Sequence, residues 1–202
     1  MRVAVPVSAR PPVPWLIIRS ALLPAAASAA ALRVRERSLE AGLIRDVSDG
    51  TLDQFDALSA AFIAGGAGDP EMVHWFCRQT RNRCQLRVEE TATSREVAAA
   101  LFRALHQQVL TGEYHVEYTS PRQAVAEGHF NCVSATVLYY CLLQEHGLQP
   151  VVMATREHVF LRLSNGSAAK YVESTCSDWF ERPEEDRIRA LEEAAQSARP
   201  IG

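Results

Sequence analysis

The segment from Glu127 to Cys176 constrains the fold more than any other part of the chain, because a complete helix signal and a complete hairpin signal follow one another within it. Asn131 is a good N-cap, since its side-chain oxygen can accept from the free backbone N–H groups of a first turn, and Cys132 follows at the first helical position. Ala135, Leu138, Tyr139 and Leu142 then recur at helical spacing until Gly147 ends the run. Further on, two apolar runs, His158 to Leu163 and Ala169 to Thr175, flank Ser164-Asn165-Gly166-Ser167, and Asn-Gly in that setting predicts a hairpin. With Asn165 and Gly166 at the centre of a type I′ turn, Ser164 pairs with Ser167. His158 then falls opposite Glu173, with about 4.5 to 5.5 Å between Cβ atoms. A slip of one residue would send the two side chains to opposite faces.

The same segment carries chemistry. A cysteine at a helix start meets unsatisfied N–H groups and the positive end of the helix dipole, which favour the thiolate. A histidine oriented by a carboxylate completes a nucleophile, a base and an orienting group: Cys132, His158 and Glu173. His129 and His146 are the rival bases. His146 lies at the far end of the Cys132 helix, about 21 Å away at 1.5 Å per residue, and is excluded. Cys141 and Cys176 are the second-choice thiols.

These residues, in this order, resemble the transglutaminase-like superfamily of papain-like cysteine enzymes. Gly128 to Cys132 matches the Gly-x-x-x-Cys that opens the central helix in that family. Gly147, Leu148 and Pro150, with Gln149 inserted, match the helix end leading into a strand. His158 matches the strand beginning with His, and Glu173-Ser174-Thr175 stands at the usual Asp-Pro-Thr, with Glu adding a methylene. The resemblance covers roughly 120–176. It implies an α+β fold, with helices packed on a small antiparallel sheet around a central Cys-bearing helix. It also implies acyl transfer at amide bonds of a protein or peptide substrate, as a peptidase or amidase when water is the acceptor and as a transglutaminase when an amine is. No cofactor or metal is required. A second oxyanion donor is expected from the segment approaching the helix, where Tyr114, Tyr118 and Asn131 are candidates. The alternative is a catalytically inactive module of the same fold used for protein association. Relatives with the Phe130-to-Thr136 signature stand ahead of tetratricopeptide repeats, so the end of this chain can mark a domain boundary or a truncated frame.

Composition narrows the class. With 48% hydrophobic and 22% charged residues, the 202-residue chain is expected to be globular. A net charge of -3 gives no electrostatic reason to expect nucleic acid. Five cysteines without a CxxC pair fit a reduced, cytoplasmic compartment, the alternative being export after cleavage near Ala29. Arg19 interrupts the early apolar run, so no membrane span is expected.

Three divisions follow: a disordered or targeting segment over 1–37, a domain over 38–180, and a charged helix and tail over 181–202 that can take a protein partner. Within the domain, helices are expected over 38–64 in two pieces broken near Gly50, over 71–83, and from a Thr93 capping box to about Leu110. Residues 85–89 read as strand or loop, and Tyr114 to Ser120 reads as extended, leading into a short helix that ends at Glu127-Gly128. His74, Cys77 and Cys84 match no zinc spacing and read as helix packing. His106 reads as a structural histidine, and Asp178 to Phe180 as a cap on the sheet. After the charged helix, no closing element is expected.

Overall fold

The computed structural model describes residues 38–86, 91–165, 168–186 and 199–200. The segment over 1–37 and most of the charged C-terminal helix, 187–198, lie outside the described residues, as do 87–90. The fold is mixed α+β, with helices packed on a small antiparallel sheet. Helices α1 (Ser38–Asp46), α2 (Ala57–Ala64), α3 (Pro70–Arg83), α4 (Ser94–Gln108), α5 (Pro121–Glu127) and α6 (Cys132–Glu145) precede strands β1 (Pro150–Ala154), β2 (Val159–Asn165), β3 (Ala168–Val172) and β4 (Arg199–Pro200).

Local chemistry sets the helix ends. Asp56 and Asp69 cap α2 and α3 by accepting the backbone N–H groups of Ser59 and Met72. Thr93 and Glu96 close the expected capping box on α4. The break between α1 and α2 is wider than one glycine. There the buried Asp46 carboxylate accepts the N–H groups of Asp53, Gln54 and Phe55, so a side chain from α1 satisfies a loop backbone that helix would otherwise use.

The organising element is α6. Its apolar spacing predicted one stripe, but every residue from Cys132 to Leu143 is buried. The reason is its position: α6 packs against α2, α4 and α5 on one side and β1 and β2 on the other. A helix covered all round has no solvent face to reserve for polar residues. Its polar groups are therefore paired internally. The Tyr139 hydroxyl donates to the Ala98 carbonyl at 2.8 Å, and the Thr136 hydroxyl donates to Val159 at 3.3 Å.

The sheet order is β3-β2-β1-β4, antiparallel throughout. The hairpin register differs from the expected one. Asn165 pairs with Ala168 and Leu161 with Val172, so the turn moves along by one residue, each residue's partner shifts by two, and Gly166 and Ser167 lie between the strands, outside the described residues. Continuing this register sets Phe160, not His158, opposite Glu173. A shift of two preserves the face of every side chain, where a shift of one would have inverted it.

Two further expectations are corrected. Tyr114 to Ser120 is not a strand: Tyr114 makes a single parallel bridge to Phe130, and the chain then turns at Val116 and Glu117. The chain also has a closing element, because Arg199 and Pro200 pair with Ala154 and Met153. Pro200 sits on an edge strand, where a missing N–H costs no ladder bond.

The approach to α6 depends on two glycines in contact. The Gly112 N–H donates to the Gly128 carbonyl at 3.1 Å. Gly128 has φ +82, and a Cβ there would lie 2.7 Å from the Thr111 hydroxyl and 3.0 Å from the Gly112 nitrogen. Gly147 shares the left-handed conformation, with φ +76, but has open space around it. Gly147→Ala is therefore expected to cost only the left-handed penalty, about 1–2 kcal/mol. That lowers Tm by about 2–4 °C per kcal/mol in a chain of this size. Gly128→Ala should cost more, because backbone must also move. Thermal unfolding followed by circular dichroism checks the difference, and equal losses would contradict the close approach.

Candidate active site

The start of α6 is a buried cap. A helix leaves its first N–H groups without internal partners. Here the Asn131 side-chain oxygen accepts from Val133 and Ser134 at 2.9 and 3.1 Å, while the Ser134 hydroxyl accepts the Asn131 N–H at 3.0 Å. The same two side chains hold the approach loop: Asn131 donates to the Val116 carbonyl and Ser134 to the Tyr118 carbonyl, each at 2.8 Å. Cys132, 8% exposed, is thereby fixed between the loop and the sheet.

His158 reaches the cysteine from the β1–β2 turn. Thr155 shapes that turn, its N–H donating to the His158 carbonyl at 2.9 Å and its hydroxyl oxygen accepting the His158 N–H at 3.0 Å. The ring hydrogen-bonds with the Cys132 side chain, and the next backbone N–H, that of Val159, is directed at the sulfur. Nε2 of His158 pairs with Oε2 of Glu173, which leaves Nδ1 to meet the sulfur. The second carboxylate oxygen, Oε1, accepts the Thr175 N–H at 3.0 Å and its hydroxyl at 2.7 Å. Cys132, His158 and Glu173 are thus brought together by three separate segments.

The electrostatics follow from these contacts. Burial pushes the Cys132 thiol up, but the hydrogen bond and charge of His158, with the Val159 N–H, outweigh it, so the net shift is downward from 9.0. The hydrogen bonds to Cys132 and then to Glu173 raise His158 above its ordinary 6.5. Burial raises Glu173, and the hydrogen bonds from His158 and Thr175 more than reverse this, holding it below 4.5. The arrangement favours a thiolate beside an imidazolium, a pair equipped to add to a carbonyl and then protonate a leaving group.

The other thiols show the same burial without the compensation. Burial raises Cys77, pushes Cys84 to about 12 and drives Cys141 well above 9.0. Cys176 rises to about 11 through burial and its hydrogen bond to Asp178. The rival histidines are engaged elsewhere. His129 Nδ1 accepts the Glu113 N–H at 3.1 Å, and His146 Nδ1 bonds the Leu142 carbonyl at the opposite end of α6. His106, read as structural, holds the acid segment by donating from Nε2 to the Ser174 carbonyl at 3.1 Å.

Compared with known proteins, the chain matches no family model, no curated protein and no solved structure.

Among the oxyanion candidates, Tyr114 has its pKa raised above 10.0 by burial and then by the neighbouring Cys132. Asn131 spends its amide on the Val116 carbonyl, and Tyr118 packs its ring against His115 and His129. Thr155, His106 and the Val159 N–H were not legible as site residues, since their roles come from tertiary placement, whereas Thr175 stood in the Glu173-Ser174-Thr175 motif without a stated role. Among the described residues, no group of three or more His, Cys, Asp or Glu could hold a metal, and no helix is long and apolar enough to cross a membrane.

Below pH 9, Cys132 is expected to react with iodoacetamide faster than the other four thiols. Its rate should fall as pH drops through its lowered pKa, because only the thiolate reacts, and His158→Ala should move that profile to higher pH. Mass spectrometry of alkylated peptides reads each thiol separately. A Cys132 rate no faster than that of Cys176 would contradict the assignment.

Proposed function

We propose that the protein is a cysteine-nucleophile acyl-transfer enzyme acting on amide bonds of a protein or peptide, with Cys132, His158 and Glu173 as its triad. One observation carries this reading: of five thiols, Cys132 alone is shifted toward the thiolate, and the group that shifts it is an imidazole already held by a carboxylate. The resemblance to the transglutaminase-like, papain-like enzymes supports the same reading, with the same three positions in the same order.

In the proposed reaction the Cys132 sulfur adds to the carbonyl carbon, and the carbonyl electron pair moves onto oxygen. As that pair returns, the carbon–nitrogen bond breaks and His158 gives its proton to the leaving amine. The thioester then passes its acyl group to a second acceptor, with His158 taking the acceptor's proton. Water as acceptor gives a peptidase or amidase, and an amine gives a transglutaminase. Glu173 keeps Nδ1 aimed at the sulfur and stabilises the imidazolium.

Cys132→Ala is expected to reduce turnover of a casein or peptide-amide library to background, in both hydrolysis and amine-incorporation assays. His158→Ala should lower kcat by about 10²–10⁴, and Glu173→Gln by less, because the orienting hydrogen bond survives without its charge. Turnover that persists in Cys132→Ala would end the proposal and favour a non-catalytic association module.

The pH profile supplies a separate check. Rate should rise as the Cys132 thiolate forms below pH 9.0 and fall as His158 loses its proton near its raised pKa of about 10. A plateau between the two limbs is expected. A profile that rises only above pH 9 would contradict the ion pair.

A further inference from the structure

We propose that Val116 and the ring of Tyr114 form an apolar shelf beside Cys132 that selects the acyl side of the substrate: a peptide or acyl amide whose carbonyl belongs to a bulky aliphatic or aromatic residue. This rests on the acyl-transfer reading of the site. Among the described residues, four large apolar side chains are exposed, Ile44, Trp75, Tyr114 and Val116. Two of the four stand on the approach loop, Tyr114 at 51% and Val116 at 75% exposure. Both are fixed against the residues that precede the nucleophile. Tyr114 bridges Phe130 in parallel, and their rings meet edge to face at 6.2 Å. The Val116 carbonyl accepts from the Asn131 side chain at 2.8 Å, one residue before Cys132. Between the two, His115 packs its ring on His129 and Tyr118 instead.

The helix cap accounts for the backbone of Val116 but not for its side chain. Asn131 uses only the carbonyl, which any residue supplies, and a valine left mostly in water gains little from the fold. An apolar side chain arriving with substrate would bury that surface. The direction of the reaction decides which part of the substrate arrives there. Cys132 lies between the loop and the sheet, and His158 reaches it from the sheet side, out of the β1–β2 turn. The leaving amine takes its proton from His158 and so lies toward the sheet. The acyl portion, bonded to the sulfur, then extends toward the loop. Charge narrows the choice further. Glu113, whose carboxylate lies 3.5 Å from the His115 ring, and Glu117 flank the shelf and are exposed. An acidic acyl residue meets like charge there, and an apolar one does not.

The test uses N-acetyl amino-acid p-nitroanilides with the full chain, so that the leaving amine is constant and only the acyl residue changes. The leucine substrate is expected to exceed the glycine substrate in kcat/KM by about tenfold or more, and the glutamate substrate to be the slowest. Val116→Ser should lower the leucine-to-glycine ratio about fourfold, the worth of one methylene, by raising KM for the leucine substrate. Val116→Leu should keep the ratio. Equal wild-type turnover of the leucine and glycine substrates would overturn the shelf, as would a ratio that Val116→Ser leaves unchanged. Either result would leave the acyl-transfer reading standing. If no substrate shows turnover that Cys132→Ala removes, the acyl-transfer reading fails and takes this one with it.

Discussion

A fully buried helix must find partners for its first N–H groups without water, and α6 meets that requirement with two side chains, Asn131 and Ser134. Because each of them also donates to the approach loop, the same bonds that satisfy the helix start draw residues 116–118 against it. An unpaired buried donor costs about 1–3 kcal/mol, so loop and helix cannot separate cheaply. Cys132 inherits its rigidity from that arrangement. Its own N–H is the donor of that first turn that neither cap side chain takes.

The behaviour of Cys132 is decided by competition between two effects of known sign. Burial alone disfavours a thiolate, and Cys84, pushed to about 12, shows how far that goes in this protein. One pH unit corresponds to 1.36 kcal/mol, so reversing such a shift calls for a specific partner rather than a general field. His158 is that partner, and it can serve because Glu173 offsets the cost of a half-buried imidazolium. Glu173 in turn is held by Thr175, and the segment after it by His106. Each group in the chain of contacts makes the next one's charge tolerable.

Much of this was legible in the sequence where the signal is local. Asn131 before an apolar run, the Thr93–Glu96 box and the terminating Gly147 are short-range devices, and the helices begin and end at them. What could not be read is set by tertiary packing. The all-round burial of α6 depends on the sheet and three helices arriving at once. Tyr114 to Ser120 alternates like a strand, but its N–H and C=O groups find the α6 cap and Phe130 instead of a sheet. The β4 edge strand has no sequence signature, because two residues pairing with the start of a turn carry no periodicity. For the site, Cys132, His158 and Glu173 were visible by type and spacing, whereas residues that position them, such as Thr155 and His106, look like ordinary threonines and histidines until the fold is known.

The displaced hairpin turn shows why the His158–Glu173 contact withstands an error that would be expected to remove it. With Phe160 opposite Glu173 on the extended register, His158 and Glu173 are diagonal neighbours, about 7–8 Å apart rather than about 5. They still share a face, because the displacement is even. What closes the added distance is length: the carboxylate is carried by glutamate, one methylene longer than aspartate. The length of the glutamate side chain is thus what lets this register hold the imidazole. A residue of shorter reach would leave the ring without its acid, and the balance that favours the thiolate would tip back toward burial.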